Sequence, residues 1–299
     1  MFGSDPPILD DIEQFAHAES VGATDKRSGS RQNPVLRTIL RLGVPIEASS
    51  VSHFRIRKVC EGSRHALIVV NGFLSKGSEQ IHDWQHGLSR RYHASTIYHV
   101  DWEATRCPSS ALQDLVTLPG ARNLLSKTAR THLWDVVSAW HRSMVEAQRA
   151  GDKLSRAISS TQGWSFTLAG HSLGARVVYY ALKDLAVQRP LCIEDVYLLG
   201  GAVGGGPKDD NCWGTATRAV KGSIFNCHST HDRVLRWAYR NANLRMSEPI
   251  GLSGINLRHA SIVNHDCSGF LTSHTDWKNQ LGTILRSLDV SGRKYRCSN

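Results

Sequence analysis

One pentapeptide restricts this chain more than any other feature. Gly170-His171-Ser172-Leu173-Gly174 sets a serine midway between two glycines. The residues before it, Phe166-Thr167-Leu168-Ala169, suit a strand, and the residues after it, Arg176 to Leu182, suit a helix. A serine on so sharp a strand-to-helix turn projects its hydroxyl above the sheet, and the flanking glycines leave room for the turn and for close packing. A Gly-rich turn can produce the same five letters by chance. It is the strand before and the helix after that point to a nucleophile.

From Phe54 onward strand and helix signals alternate. Phe54 to Val59 has a period of two, as in an edge strand, and Ala66 to Val70 is a continuous apolar run, as in a buried parallel strand. Further strands are expected at Ser95–Val100, at Asp195–Leu199, at Gly222–Cys227 and around Ser261–Val263. Helices are expected at Ile81–Tyr92, near Ser110–Leu125, at Leu133–Ser159, around Val234–Tyr239 and at Thr275–Leu288. The alternation implies an α/β fold, a mostly parallel central sheet flanked by helices on both faces. Such sheets carry their sites beyond the carboxyl ends of the strands. Residues 1–50, rich in Ser, Gly, Lys and Arg between Ser20 and Pro34, read as an N-terminal extension. Residues 51–290 then form the main domain and 291–299 a C-terminal tail.

Composition narrows the classes of function. The formal net charge of +10 favours acidic partners, among them anionic lipid surfaces. The basic residues are scattered, so no nucleic-acid partner is expected. Seven dispersed cysteines without a C-x-x-C pair argue for a reducing compartment. The first residues lack the pattern of a secretory signal, and no stretch approaches the ~18 apolar residues of a span. The expectation is a cytoplasmic protein whose contact with membranes, if any, is peripheral.

A serine needs a base to take its proton, and the base needs an acid to orient it and stabilise its charge. In α/β-hydrolases these follow the nucleophile in the order acid, then histidine. Asp232, in the loop after the Ile224–Cys227 strand, is the candidate acid. It also suits the N-cap of the helix that begins near Arg233, and both roles can hold together. Asp195 is the poorer choice, because it lies at the start of its strand. Two histidines suit the base: His265, just after the last strand, and His274, before the terminal helix. His171, inside the elbow, reads as a packing or supporting residue. The oxyanion needs backbone N–H donors. One is expected from Leu173 and the second from the turn Val70-Asn71-Gly72-Phe73-Leu74, at Phe73 or, alternatively, Leu74. This chemistry requires no cofactor. His82 and His86, four apart on a helix, look like half of a zinc motif but lack a third ligand. His228 and His231 read as polar loop residues.

Several stretches together carry a family likeness. They are Val70 to Leu74 with Asp83-Trp84 downstream, Asp101-Trp102-Glu103, Gly170 to Val177, and Asp195 to Val203. Asp232-Arg233-Val234-Leu235 with Tyr239-Arg240, and Gly269 to His274, complete the set. Across roughly residues 55–288 the chain resembles the α/β-hydrolase domain of the transmembrane and coiled-coil domain-containing proteins, catalogued as domain of unknown function 726. The resemblance implies Ser172, Asp232 and His274 as a triad, with His274 preferred to His265. It also implies hydrolysis of carboxylic esters, with lipid or phospholipid acyl esters foremost. Membrane residence is not carried over with it. Residues 109–131 are where a lid or insertion is expected, an ordinary amphipathic helix being the plain alternative. Two other readings stay open from sequence: a binding module on a hydrolase scaffold, and a secreted antibacterial lipase effector.

Overall fold

A computed structural model describes residues 53–72, 81–88, 91–104, 127–206, 213–242 and 248–296. The expected N-terminal extension, Phe73 and Leu74, and residues 109–126 of the expected lid lie outside the described residues. Seven strands form one sheet: β1 (Phe54–Cys60), β2 (Ser63–Val70), β3 (Ser95–Trp102), β4 (Ser165–His171), β5 (Ile193–Leu199), β6 (Ile224–His228) and β7 (Ile262–Asp266). Their order is β1-β3-β2-β4-β5-β6-β7. β1 pairs antiparallel with β3 at one edge, and every other pairing is parallel. The helices are α1 (His82–Leu88), α2 (Lys127–Ser160), α3 (Leu173–Gln188), α4 (Trp213–Ala216), α5 (Arg233–Ala242), α6 (Ile250–Ser253), α7 (Asp276–Asn279) and α8 (Leu281–Arg296).

Strand pleating explains why the central strands read as unbroken apolar runs. In β2, Ala66, Ile68 and Val70 enter the core shared with α2 and α3, whereas Leu67 and Val69 enter the core shared with α1 and α8. β5 divides likewise, Val196 and Leu198 facing one core and Tyr197 and Leu199 the other. A strand buried on both faces has no polar side to show. β1, at the edge, is only partly buried, hence its alternation.

The strand order places the site. β2 and β4 are neighbours, with Val70 opposite Gly170, although β3 lies between them in sequence. The helix following β2 packs on one face and the helix following β4 on the other. The chain therefore diverges above this pair of strands, and the divergence opens a crevice at their carboxyl ends.

Helix limits depart from the sequence reading. α1 stops at Leu88, short of Tyr92. α2 is already helical at Lys127, six residues before the expected Leu133. The terminal helix breaks at Gln280 into α7 and α8, and α8 runs to Arg296, so much of the expected tail is helical. No helix among the described residues is long and apolar enough to cross a membrane.

α2 and α3 meet at a pair of carboxyl groups. Burial pushes the Asp152 carboxyl up, and Asp184, hydrogen-bonded to it, pushes the same way; Arg156 and Lys183 oppose, and the result is about 6. Ser155 Oγ donates to Asp184 Oδ2 at 3.3 Å. A carboxyl raised by folding stabilises the fold below its ordinary range, and that contribution is lost as pH rises through 6. Asp152→Asn, which keeps a donor at every pH, is expected to raise Tm by about 2–4 °C at pH 8 and to leave it unchanged at pH 4, as read by thermal unfolding.

Candidate active site

Ser172 sits between β4 and α3 with φ 56° and ψ −121°, a conformation that non-glycine residues rarely adopt. Three backbone hydrogen bonds hold it there. Its N–H donates to the Leu199 carbonyl at 3.0 Å, and its carbonyl accepts from the amides of Ala175 at 3.1 Å and Ala202 at 2.9 Å. Strain of this kind persists only where the surroundings over-determine it. Gly174 starts α3 directly against β2, where a β-carbon would collide with the Val70 carbonyl. Gly72, two residues beyond β2, lies against Ser172 itself. A β-carbon there would stand 2.6 Å from Ser172 Cβ and 3.3 Å from Ser172 Oγ.

Asp232 and His274 come together across two loops. His274 Nδ1 lies 2.7 Å from Asp232 Oδ2. The carboxylate is almost wholly buried, and the imidazole is 14% exposed. Trp277 Nε1 donates to the same Oδ2 at 3.0 Å, and the Leu235 amide donates to Oδ1 at 3.0 Å. Burial alone would push the Asp232 carboxyl up. His274 and the two N–H donors outweigh it, and the carboxyl is held below its ordinary range. The stability this ionised form contributes is present above the ordinary carboxylate range and is lost as pH falls through the depressed value. Because the carboxylate is acceptor-only, Nδ1 carries the proton and Nε2 is left as the basic nitrogen.

His171 supports this arrangement from the elbow. Its ring lies 4.9 Å from that of His274, tilted by 37°, and its Nε2 donates to the His274 carbonyl at 3.2 Å. Burial first, then the proximity of His274 and Lys278, pushes its pKa well down, so His171 is neutral. The rival base is held elsewhere: His265, on β7, lies 2.7 Å from Ser287 Oγ of α8. Asp195, at the start of β5, accepts from the Ser223 amide at 3.0 Å, at the opposite end of the sheet from the elbow. Leu173 opens α3, where an amide has no carbonyl acceptor within its own helix. Phe73 and Leu74 lie outside the described residues. His82 and His86 are exposed on α1, His228 ends β6, and His231 Nδ1 lies 3.1 Å from the Ser268 carbonyl.

Two contributors went unread in sequence. Trp277 is fully buried, and a buried indole N–H requires an acceptor. Its place three residues after His274 was the available signal. The second is Asn71, whose side chain is enclosed by aromatic residues from α1 and β3.

A parallel sheet with one antiparallel edge strand, a sharp strand-to-helix turn carrying Ser172 at its centre, and Asp232 and His274 in loops after the last two strands define an α/β-hydrolase fold. The chain belongs to the family described as "Protein of unknown function (DUF726)", whose model matches residues 124–291. It is 25% identical over 272 residues to an uncharacterized membrane protein of Caenorhabditis elegans, covering 81% of this chain and 42% of that protein. It is 27% identical to the transmembrane and coiled-coil domain-containing protein STS1 of Oryza sativa, covering 81% and 39%. The chain thus spans about two fifths of the length of these relatives. A protein named "Probable lipase MIL1" in Saccharomyces cerevisiae is 28% identical over 155 residues, 51% of this chain and 14% of that one. Among solved structures, mouse alpha/beta hydrolase domain-containing protein 10 aligns over 84% of this chain and 98% of its own, with 12% identity and a TM-score of 0.42.

The Gly72 contact has a direct consequence. Gly72→Ala places its methyl 2.8 Å from the His171 carbonyl, a backbone atom that cannot swing away. The substitution is expected to cost about 1–3 kcal/mol, measured by denaturant unfolding.

Proposed function

We propose that this protein is a serine hydrolase cleaving carboxylic esters, with lipid or phospholipid acyl esters as its substrate class. The observation that carries the reading is the 2.7 Å Asp232–His274 hydrogen bond in the loops above the Ser172 elbow. Ser172 Oγ attacks the ester carbonyl carbon while His274 Nε2 takes its proton, and Asp232 stabilises the imidazolium. The oxyanion is held by the Leu173 amide and by a second amide from the chain leaving β2, at Phe73 or Leu74. The tetrahedral intermediate collapses, the C–O bond to the alcohol breaks, and His274 returns the proton to the leaving oxygen. Water then attacks the acyl-enzyme with His274 again as base, releasing the carboxylic acid and restoring Ser172.

The lipid part of the proposal draws on different support. One relative bears the name of a probable lipase. The net charge of +10 favours a peripheral encounter with an anionic membrane surface.

A fluorophosphonate probe tests the core of this reading. Wild type is expected to gain one adduct at Ser172 and Ser172→Ala none. Asp232→Asn is expected to lower kcat on p-nitrophenyl esters by on the order of 10³-fold. Equal labelling of wild type and Ser172→Ala, or no labelling of wild type, overturns it. Rates on esters of increasing chain length and on phospholipid vesicles, with Ser172→Ala as control, test the substrate class. A preference for long acyl chains is the expected result.

A further inference from the structure

The chain leaving β2 is pinned at a single residue. Asn71 is 2% exposed, and both polar atoms of its side chain are engaged. Its Oδ1 accepts the indole N–H of Trp84 at 2.8 Å, and its Nδ2 donates to His99 Nε2 at 3.0 Å. Its backbone carbonyl accepts the indole N–H of Trp102 at 2.9 Å. Trp84 comes from α1, and His99 and Trp102 come from β3, so two elements grip the end of a third. All three gripping side chains are buried.

His99 serves here as an acceptor. Burial pushes it down to about 4, Arg57 and Lys278 push the same way, and Asp101 opposes. It is neutral at pH 7, with Nε2 free of a proton to receive the Asn71 amide. Hydrogen bonds to a buried amide restrict it to one orientation, because any other leaves its polar atoms without partners.

The geometry it sets is that of the nucleophile's surroundings. Gly72, the next residue, leaves no room for a β-carbon between itself and Ser172, and the Val70 and Asn71 carbonyls press on Gly174 at the start of α3. The start of α3, against which the end of β2 is packed, supplies the Leu173 amide as an oxyanion donor in the proposed reaction. We propose that Asn71, held by Trp84, His99 and Trp102, is a positioning residue for the Ser172 elbow, fixing the end of β2 and Gly72 against Ser172 and against the start of α3, where the Leu173 amide is the proposed oxyanion donor. This rests on the ester-hydrolase reading. Asn71 touches no reacting atom in this account, and its effect falls on the transition state rather than on substrate binding.

The test compares Asn71→Ala, His99→Leu and His99→Gln in the full chain. Glutamine restores an acceptor for the Asn71 amide and leucine does not. For each variant kcat, KM on a p-nitrophenyl ester, and inhibition by an alkyl trifluoromethyl ketone are measured. The ketone's serine adduct places an oxyanion in the hole. Asn71→Ala and His99→Leu are expected to lose on the order of 10–100-fold in kcat and in ketone affinity, with KM within about threefold of wild type. His99→Gln is expected to recover most of that loss. Should Asn71→Ala fail to fold, the His99 pair carries the comparison, with Tm recorded for both. Unchanged kcat in folded variants, a rise in KM alone, or equal losses for His99→Leu and His99→Gln overturns the proposal. If wild type itself neither turns over ester nor binds the ketone, the hydrolase reading falls together with it. If wild type does both, the outcome bears on Asn71 alone.

Discussion

A single buried carboxylate organises the upper side of this sheet. Asp232 receives an imidazole N–H, an indole N–H and a backbone N–H from three different segments, and these donors keep it ionised against the pull of burial. The loop after β6, the loop after β7 and the short helix α7 converge because that charge must be satisfied. A buried carboxylate left with fewer donors would take up a proton or draw in water. Either change would release His274 from the tautomer that leaves Nε2 basic. The same bonds therefore stabilise the fold and prepare the chemistry proposed for it.

The serine of the elbow is held by different means. Ser172 occupies strained backbone that three hydrogen bonds and two close glycine contacts impose. Neighbouring strands carry the elbow and the turn after β2, so topology alone brings Ser172 beside Gly72. His171 joins the two systems, since it belongs to the elbow yet donates to the His274 carbonyl. A displacement of the base loop would thus be felt at the elbow, two chain segments away in sequence but in contact in space.

The local features were the legible ones. Ser172 could be read because a strand, a tight turn and a helix leave their marks in adjacent residues. The buried strands could be read because β-branched and leucine-rich runs fit a sheet covered on both faces. Asp232 could be read as either a helix cap or an acid, and its two oxygens divide their contacts: Oδ1 accepts the Leu235 amide and Oδ2 meets His274. What separates His274 from His265 is tertiary. Both lie near the end of the last strand in sequence, His265 on β7 and His274 beyond it, and only packing shows that His265 turns to Ser287 while His274 turns to Asp232. Trp277 and Asn71 escaped notice for the same reason, since an amide or indole in a core announces nothing about its partner.

The account stands on the proton shared by His274 Nδ1 and Asp232. That proton can be observed directly in the low-field proton NMR spectrum of the wild-type protein. The structure predicts a strongly downfield imidazole N–H resonance that persists in Ser172→Ala, moves sharply upfield or vanishes in Asp232→Asn, and is absent from a His274→Ala chain. A spectrum without such a resonance, or one in which it survives both the Asp232 and His274 substitutions, would contradict the arrangement on which the proposed chemistry depends.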